Sequence, residues 1–454
     1  MRHDRVWALL TLASLNIFVL VAGVVAWDVI ASRPPETVAH PVALAQEAPA
    51  PAGTTAKPVN PDLLADKLDD RMSNSGIDDG LSAFVVDAET GDPLFARDEG
   101  ETAVPASTTK VVTAVAALQA VGPDARIPTD VVQGAEPGQV ILVGGGDPTL
   151  TEVVRSGEYP RLATLEELAE STAGELLAAG IGSVRLGYDD SRYSGPDMAP
   201  GWKPGYVDEG SVATVHALML DGGRVYREEN YSERVGDPPR AAAEAFARQL
   251  EAAGITVEGA PAPATAAADA APIATVESAP VSALVEKMML ESDNNIAEAL
   301  AHQVARAEGG EMSFAGGAAA VMSVISDLGV PDVHVEDGSG LSVNNRITPK
   351  ALVDLLLLAA DDANPDLHYV VSGLPTAHFT GTLTDRYTAY EASAAGAGLI
   401  RAKTGTLNGV STLAGTAYDA DGRLLVFAFM ANNPAAEGRI LDTFASALVE
   451  CGCS

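Results

Sequence analysis

The sequence predicts an α+β fold: one antiparallel sheet flanked by helices, built from strands near both ends of the chain and interrupted by a long insert. Three observations carry this expectation. Strand-like runs occur at Leu81–Asp87 and Leu94–Arg97 and again after Leu399. Helical patterns follow the first group and precede the second. Between them, residues 126–275 mix strands, helices and low-complexity sequence. Strand groups so far apart can pair in one sheet while the intervening helices cover its faces. The 454 residues, 47 % of them apolar, provide for two or three domains and a substantial core.

Taken in order, the chain opens on the basic "MRHDR", followed by an uncharged apolar run from Trp7 to Trp27. At the helical rise such a run crosses a hydrocarbon layer of about 30 Å. Tryptophan at each end suits the two interfaces, and Arg2 and Arg5 favour a cytoplasmic N-terminus. Residues 1–31 are therefore expected to be an N-terminal transmembrane helix. A cleaved leader ending near "ALA" (Ala43–Ala45) is the competing reading, but its apolar region would be shorter. Both readings put the rest of the chain outside the cytoplasm. Residues 32–61, rich in Pro, Ala and Thr, form a spacer.

The catalytic-type domain is expected at 62–125 and 276–454, with the inserted domain or domains at 126–275. "LLADKLDDRM" (Leu63–Met72) reads as an amphipathic helix, then two strands joined by a turn around Thr90-Gly91-Asp92, then the Ala/Val-rich helix of "PASTTKVVTAVAALQAVG". In the insert, "VILVGGGDPTL" is a strand entering a glycine turn, "LATLEELAESTAGELLAAGI" a helix, "SVRLGYDD" a strand and "PRAAAEAFARQLEAAGITV" a helix. Residues 258–275, a low-complexity stretch dominated by Ala and Pro, read as a surface connection. "PVSALVEKMMLESDNNIAEALAHQVARAEGG" is strongly helical. The end of the chain reads as three strands, the first containing "AKTGTL", and a last helix, "GRILDTFASALVE".

Charge narrows the function. A net charge of −34 opposes binding to nucleic acid, whose phosphates require Lys and Arg, and to anionic membrane through basic patches. The seven histidines form no HExxH or helical pair, and "HVED" (His334–Asp337) lacks a second imidazole nearby, so no metal site and no cofactor are expected. The two cysteines, Cys451 and Cys453, close the chain as "CGCS"; a local disulfide, free thiols and a modification all fit.

Three stretches carry chemistry. "ASTTK" places Ser107 three residues before Lys110 at a helix start; "ESDNN" contains Ser292-Asp293-Asn294; "AKTGTL" contains Lys403-Thr404-Gly405-Thr406 on a strand. Positions i and i+3 share a helix face, so Lys110 projects beside Ser107. A serine hydroxyl needs a base, and lysine serves only when neutral, a form favoured by burial and by a nearby cation such as Lys403. The order SxxK, SxN, KTG is the signature of penicillin-binding proteins and serine β-lactamases.

With these residues the chain resembles the low-molecular-mass class C (type-4) penicillin-binding proteins, serine D-alanyl-D-alanine carboxypeptidase/endopeptidases. The long gap between Ser107 and Ser292 suits the inserts of this group, "LVGGGDPTL" resembles part of such an insert, and "DGSGLSVNNRITP" (Asp337–Pro349) and "TGTLTDR" (Thr380–Arg386) resemble stretches preceding KTG. DGSGLS fits equally a glycine-rich turn that shapes the site wall and a stretch that acts in the site, so Asp337 and Ser339 are not counted among the catalytic residues. Around "APGWKP" (Ala199–Pro204) the resemblance does not extend residue by residue.

The resemblance implies a β-lactamase/transpeptidase-like fold and, as substrate, peptidoglycan peptides ending in D-Ala-D-Ala, with β-lactams as inhibitors. Ser107 is then the nucleophile, Lys110 its base, and Ser292 the carrier of a proton between Lys110 and the leaving amine. Asn294 holds Lys110 and bonds the substrate amide. Lys403, Thr404 and Thr406 face the substrate's terminal carboxylate, and the backbone N–H groups of Ser107 and Thr406 form the oxyanion hole. A serine β-lactamase or esterase of the same superfamily, or a non-catalytic wall-binding protein, are the alternatives. A class A β-lactamase would need an ExxLN stretch, which is absent between SDN and KTG; the second is opposed by the intact Ser107, Lys110, Ser292 and Lys403.

Overall fold

A computed structural model describes residues 58–453, apart from 78, 156, 158 and 230. The expected membrane segment and most of the spacer lie outside the described residues; among those described, no helix is long and apolar enough to cross a membrane. Helix α1 (Pro61–Ser73) starts where Asn60 Oδ1 accepts the Asp62 N–H, and buries Leu64, Leu68 and Met72 at four-residue intervals. Strand β1 (Leu81–Asp87) is buried along its whole length, whereas its partner β2 (Pro93–Arg97) is partly open. A 3₁₀ turn at Ala106–Thr108 leads into helix α2 (Thr109–Ala120), buried continuously from Thr109 to Leu118. A helix apolar on all sides belongs in the centre of a protein, and α2 sits there.

The chain then builds a second sheet. Strands β3 (Pro128–Gln133) and β4 (Gln139–Val143) form an antiparallel pair. Helix α3 (Leu165–Ala178), capped by Thr164, crosses over to β5 (Ser183–Asp189), which lies parallel to β4. After the short helix α4 (Gly205–Asp208), helix α5 (Pro238–Ala252) packs beside α3, its Phe246 in one core with Val131, Leu142 and Leu186. Short strands β6 (Thr256–Val257) and β7 (Ala262–Pro263) add to β5. The stretch expected as a surface connection instead ends in a sheet strand, β8 (Pro272–Glu277), paired along β3. Only Ala274 of β8 is fully buried, so its apolar signal is faint.

The helical stretch expected next is two helices, α6 (Val281–Glu291) and α7 (Asn294–Ala307), broken at Ser292 and Asp293. Helix α8 (Phe314–Asp327), the two-residue strands β9 (Val333–His334) and β10 (Arg346–Ile347), and helices α9 (Pro349–Ala360) and α10 (His368–Ser372) follow. Strands β11 (Ile400–Leu407), β12 (Val410–Tyr418) and β13 (Leu424–Ala431) precede the final helix α11 (Gly438–Val449). The main sheet has the order β11-β12-β13-β1-β2, antiparallel throughout, so strands from the two ends meet where Ala83 pairs Phe429. Alternation divides its side chains: Phe84, Val86 and Val426 face α2 and the helices around it, while Val85, Phe427 and Phe429 face α1 and α11. Cys451 and Cys453 form a disulfide, and Asn60 N donates to Cys453 O at 2.7 Å, tying the start of α1 to the end of the chain.

Candidate active site

The nucleophile candidate is placed by close approach of three elements. Ser107 lies in the 3₁₀ turn before α2, and Lys110 one turn further on is completely buried. Two glycines let neighbours reach this turn. A Cβ on Gly405 in β11 would overlap Thr412 Oγ1 and come 2.8 Å from Pro105 O and 3.0 Å from Ser107 N. Gly340, at φ 87°, lies where a Cβ would overlap the carbonyl of Ala106. The glycines of KTG and DGSG therefore serve the same turn from two sides.

Lys110 Nζ donates to Asn294 Oδ1 at 2.6 Å and to the Ser339 carbonyl at 2.7 Å, and lies 3.3 Å from Ser107 Oγ. Lys403, equally buried, donates to Ser292 Oγ at 2.8 Å and to the Thr404 carbonyl at 2.9 Å. Thr404 Oγ1 lies 2.9 Å from Thr382 Oγ1. Ser107, Ser292, Asn294, Thr404 and Thr406 line one cleft of about 600 Å³. Lys203, Tyr206, Glu209 and Ser211, from the middle of the chain, line it as well. All seven residues expected from the sequence thus belong to one cluster.

Two details differ from expectation. Ser292 is bonded to Lys403 and not to Lys110. The Lys403 amine lies beneath the cleft, so Thr404 and Thr406, and not Lys403, reach its surface. Electrostatics differ as well. Burial is the main cause that pushes the Lys110 amine down to about 8, opposed by Glu298, Asp337 and Asp293. Lys403 is pushed well down by burial and then by the charge of Lys110. The two amines thus favour holding one proton between them.

Several participants escaped sequence reasoning. Ser339 offers its backbone carbonyl to Lys110, and the loop carrying it is fixed by two buried acids. Glu298 accepts the N–H groups of Gly338 and Ser339 at 2.9 and 2.8 Å. Burial, then the nearby Asp337, push the Glu298 carboxyl up to about 8. Asp337 accepts from Gly340 N, Ser342 N and Asn345 Nδ2, and from Trp202 Nε1 of the insert at 2.7 Å. Glu298 follows Asn294 by four residues on α7, a spacing that marks a shared face. His334 of the "HVED" stretch lies in β9, 3.5 Å from Glu336, open to solvent.

The chain matches the D-Ala-D-Ala carboxypeptidase 3 (S13) family over residues 64–239 and 226–451. It is 38 % identical over 379 residues to carboxypeptidase DacB of Mycolicibacterium smegmatis, covering 82 % of this chain and 81 % of that one. To a carboxypeptidase of Mycobacterium tuberculosis it is 36 % identical over 433 residues, covering 93 % and 89 %. Its fold is similar to the crystal structure of penicillin binding protein 4 of Haemophilus influenzae, with a TM-score of 0.67, 23 % identity, and 84 % and 98 % of the two chains covered. On the family match and the extent of this identity, the chain belongs to the D-Ala-D-Ala carboxypeptidase 3 (S13) family.

Proposed function

We propose that this protein is a serine D-alanyl-D-alanine carboxypeptidase that trims peptidoglycan stem peptides through an acyl-enzyme on Ser107. The observation that carries the reading is the set of contacts of Lys110. A neutral amine has two N–H bonds and one lone pair. Asn294 Oδ1 and the Ser339 carbonyl, at 2.6 and 2.7 Å, accept the two N–H bonds, and the lone pair remains for the hydroxyl of Ser107 at 3.3 Å. The names of the curated relatives, both carboxypeptidases, support the same chemistry.

The form that reacts has Lys110 neutral, beside a Lys403 that burial also keeps neutral. Ser107 gives its proton to Lys110 and attacks the carbonyl carbon of the penultimate D-Ala. The N–H groups of Ser107 and Thr406 receive the developing oxyanion. As the peptide bond breaks, the proton held by Lys110 passes by way of the Ser292 hydroxyl, which Lys403 holds at 2.8 Å, to the departing D-Ala amine. The acyl-enzyme is left with both amines neutral. Water then attacks, giving a proton to Lys110, which returns it to Ser107. The cycle closes with the initial protonation restored. The terminal carboxylate is received by Thr404 and Thr406 at the cleft surface.

The same steps cleave a cross-link whose carbonyl belongs to D-Ala, so D,D-endopeptidase activity follows from the same groups. β-Lactams acylate Ser107 by the same attack. The separate sheet and core of the middle region support reading 126–275 as an inserted domain. The uncharged run Trp7–Trp27 supports an extracytoplasmic, membrane-anchored enzyme, which fractionation of cells would test.

The direct test is labelling with a fluorescent penicillin together with D-Ala release from a pentapeptide. The parent is expected to label and to release D-Ala, and Ser107→Ala to do neither. A parent that turned over β-lactam rapidly and released no D-Ala would support the β-lactamase alternative. Mass spectrometry of products from a defined muropeptide mixture would divide terminal trimming from cross-link cleavage.

A further inference from the structure

The insert reaches the corner between α6 and α7 through several bonds. Arg224 Nη2 donates to Asp293 Oδ2 at 2.6 Å, with the Asp293 side chain only 4 % exposed. Asn294 Nδ2 donates to the Ser211 carbonyl at 2.8 Å, and Ala213 N to Asn295 Oδ1 at 3.1 Å. Arg224 is fixed in turn. It forms an antiparallel bridge with Arg234, whose guanidinium donates to the Gly222 and Gly210 carbonyls at 2.7 Å each. These bonds bear on a strained residue. Ser292 has φ 59° and ψ 35°, a left-handed conformation that a residue with a Cβ adopts at a cost and keeps only when its surroundings enforce it. Asp293 is the enforcing neighbour: Oδ1 caps α7 through Ile296 N at 2.8 Å, and Oδ2 is held by Arg224.

We propose that Arg224 is a positioning residue of the active site: by holding Asp293 it keeps Ser292 in the left-handed conformation that aims its hydroxyl at Lys403. The inference rests on the role given to Ser292 above, and it makes the insert a working part of the site. The clamp is also electrostatic. Lys110 is faced by Glu298, Asp337, Asp293 and Lys403, and Asp293 by Arg224 and Arg234. Although burial pushes the Asp293 carboxyl up, Arg224 holds it at about 2, so it stays an anion. With Arg224 gone, that anion would bind the lysines' shared proton more tightly. The neutral form of Lys110 would then require higher pH.

The test follows acylation of the full chain by a fluorescent penicillin across pH, in the parent, Arg224→Gln, Arg224→Lys and the double variant Arg224→Gln/Asp293→Asn, with thermal melts of each. Arg224→Gln is expected to slow acylation roughly 10- to 100-fold and to move the rise in rate to more alkaline pH. Arg224→Lys should recover part of the rate. The double variant should return the pH position toward the parent's, because the uncompensated carboxylate is gone. The proposal is overturned if Arg224→Gln acylates at the parent rate with the parent pH dependence. It is equally overturned if the loss is uniform over pH and proportional to the unfolded fraction. Ser107→Ala runs in the same assay: if it still labels, the reading of the site falls and this inference with it, whereas a parent-like Arg224→Gln removes this inference alone.

Discussion

As the proposed base, Lys110 acts only while neutral, and burial makes that form accessible closer to neutral pH. With the amine pushed down to about 8, its neutral fraction climbs as pH rises through that value. Acylation by penicillin is expected to climb with it and level off above about 8. Lys110→Arg keeps the charge and removes the base, and should slow acylation by about 10²- to 10⁴-fold. A rate flat or falling with pH across that range would contradict the assignment. The same burial has a cost in stability. The folded amine releases its proton at lower pH than the unfolded one. The cost is therefore fully present below about 8 and is relieved as pH rises toward the ordinary lysine value. At this scale the sequence was informative where the proposed chemistry needs a particular side chain, as at Ser107, Lys110 and Ser292, which the fold brings together. At Ser339 it marked the DGSGLS stretch but not the contact with Lys110, because that contact is made by a backbone carbonyl that any residue could offer. Glu298 was within reach of helix register, but the acid's purpose, binding two loop N–H groups, depends on a loop forty residues away.

Elements were legible wherever burial imposes a period. β13 is a continuous apolar run and α2 an Ala/Val-rich one because each is enclosed on nearly all sides. β8 was missed because a mostly exposed strand with a single buried residue has no burial pattern to detect. The break between α6 and α7 was missed for another reason. Ser292 is not glycine or asparagine, the residues that usually announce a left-handed helix end, so the turn is enforced from outside the local sequence. KTG shows the converse, a local residue whose reason is tertiary. Gly405→Ala would drive a methyl group against Thr412 Oγ1 and the backbone at Pro105 and Ser107, which cannot swing aside as a flexible side chain can. Displacement of β11 from the Ser107 turn is expected, with acylation falling about 100-fold and stability by about 1–3 kcal/mol. Stopped-flow labelling and thermal melts measure both. A Gly405→Ala chain that acylates like the parent would mean that β11 and the turn do not need this approach.

The whole molecule joins its ends to make its centre. β1 pairs with β13, so the sheet is complete only when N- and C-terminal segments have met, and the residues at 107, 292 and 403 converge as a consequence. Antiparallel pairing of terminal strands could be read from the sequence; how closely the insert would face the cleft could not, since Trp202, Ser211 and Arg224 act through contacts between distant segments. The charge of the molecule is a property of the same scale. At −34 net, the protein repels an anionic substrate at a distance, while the cleft itself is lined by both signs, Lys203, Arg224 and Arg386 beside Glu209, Glu291 and Asp293. The Debye length shortens from about 30 Å at 0.01 M salt to about 8 Å at 0.15 M, which screens the distant repulsion more than the short-range attraction. The second-order rate of acylation by an anionic penicillin is therefore expected to rise roughly two- to threefold over that interval. A zwitterionic β-lactam, with no net charge to repel, should change little. If the rate for the anionic compound fell with added salt, the local cations would dominate the encounter, and the acidic surface would have no part in governing access to Ser107.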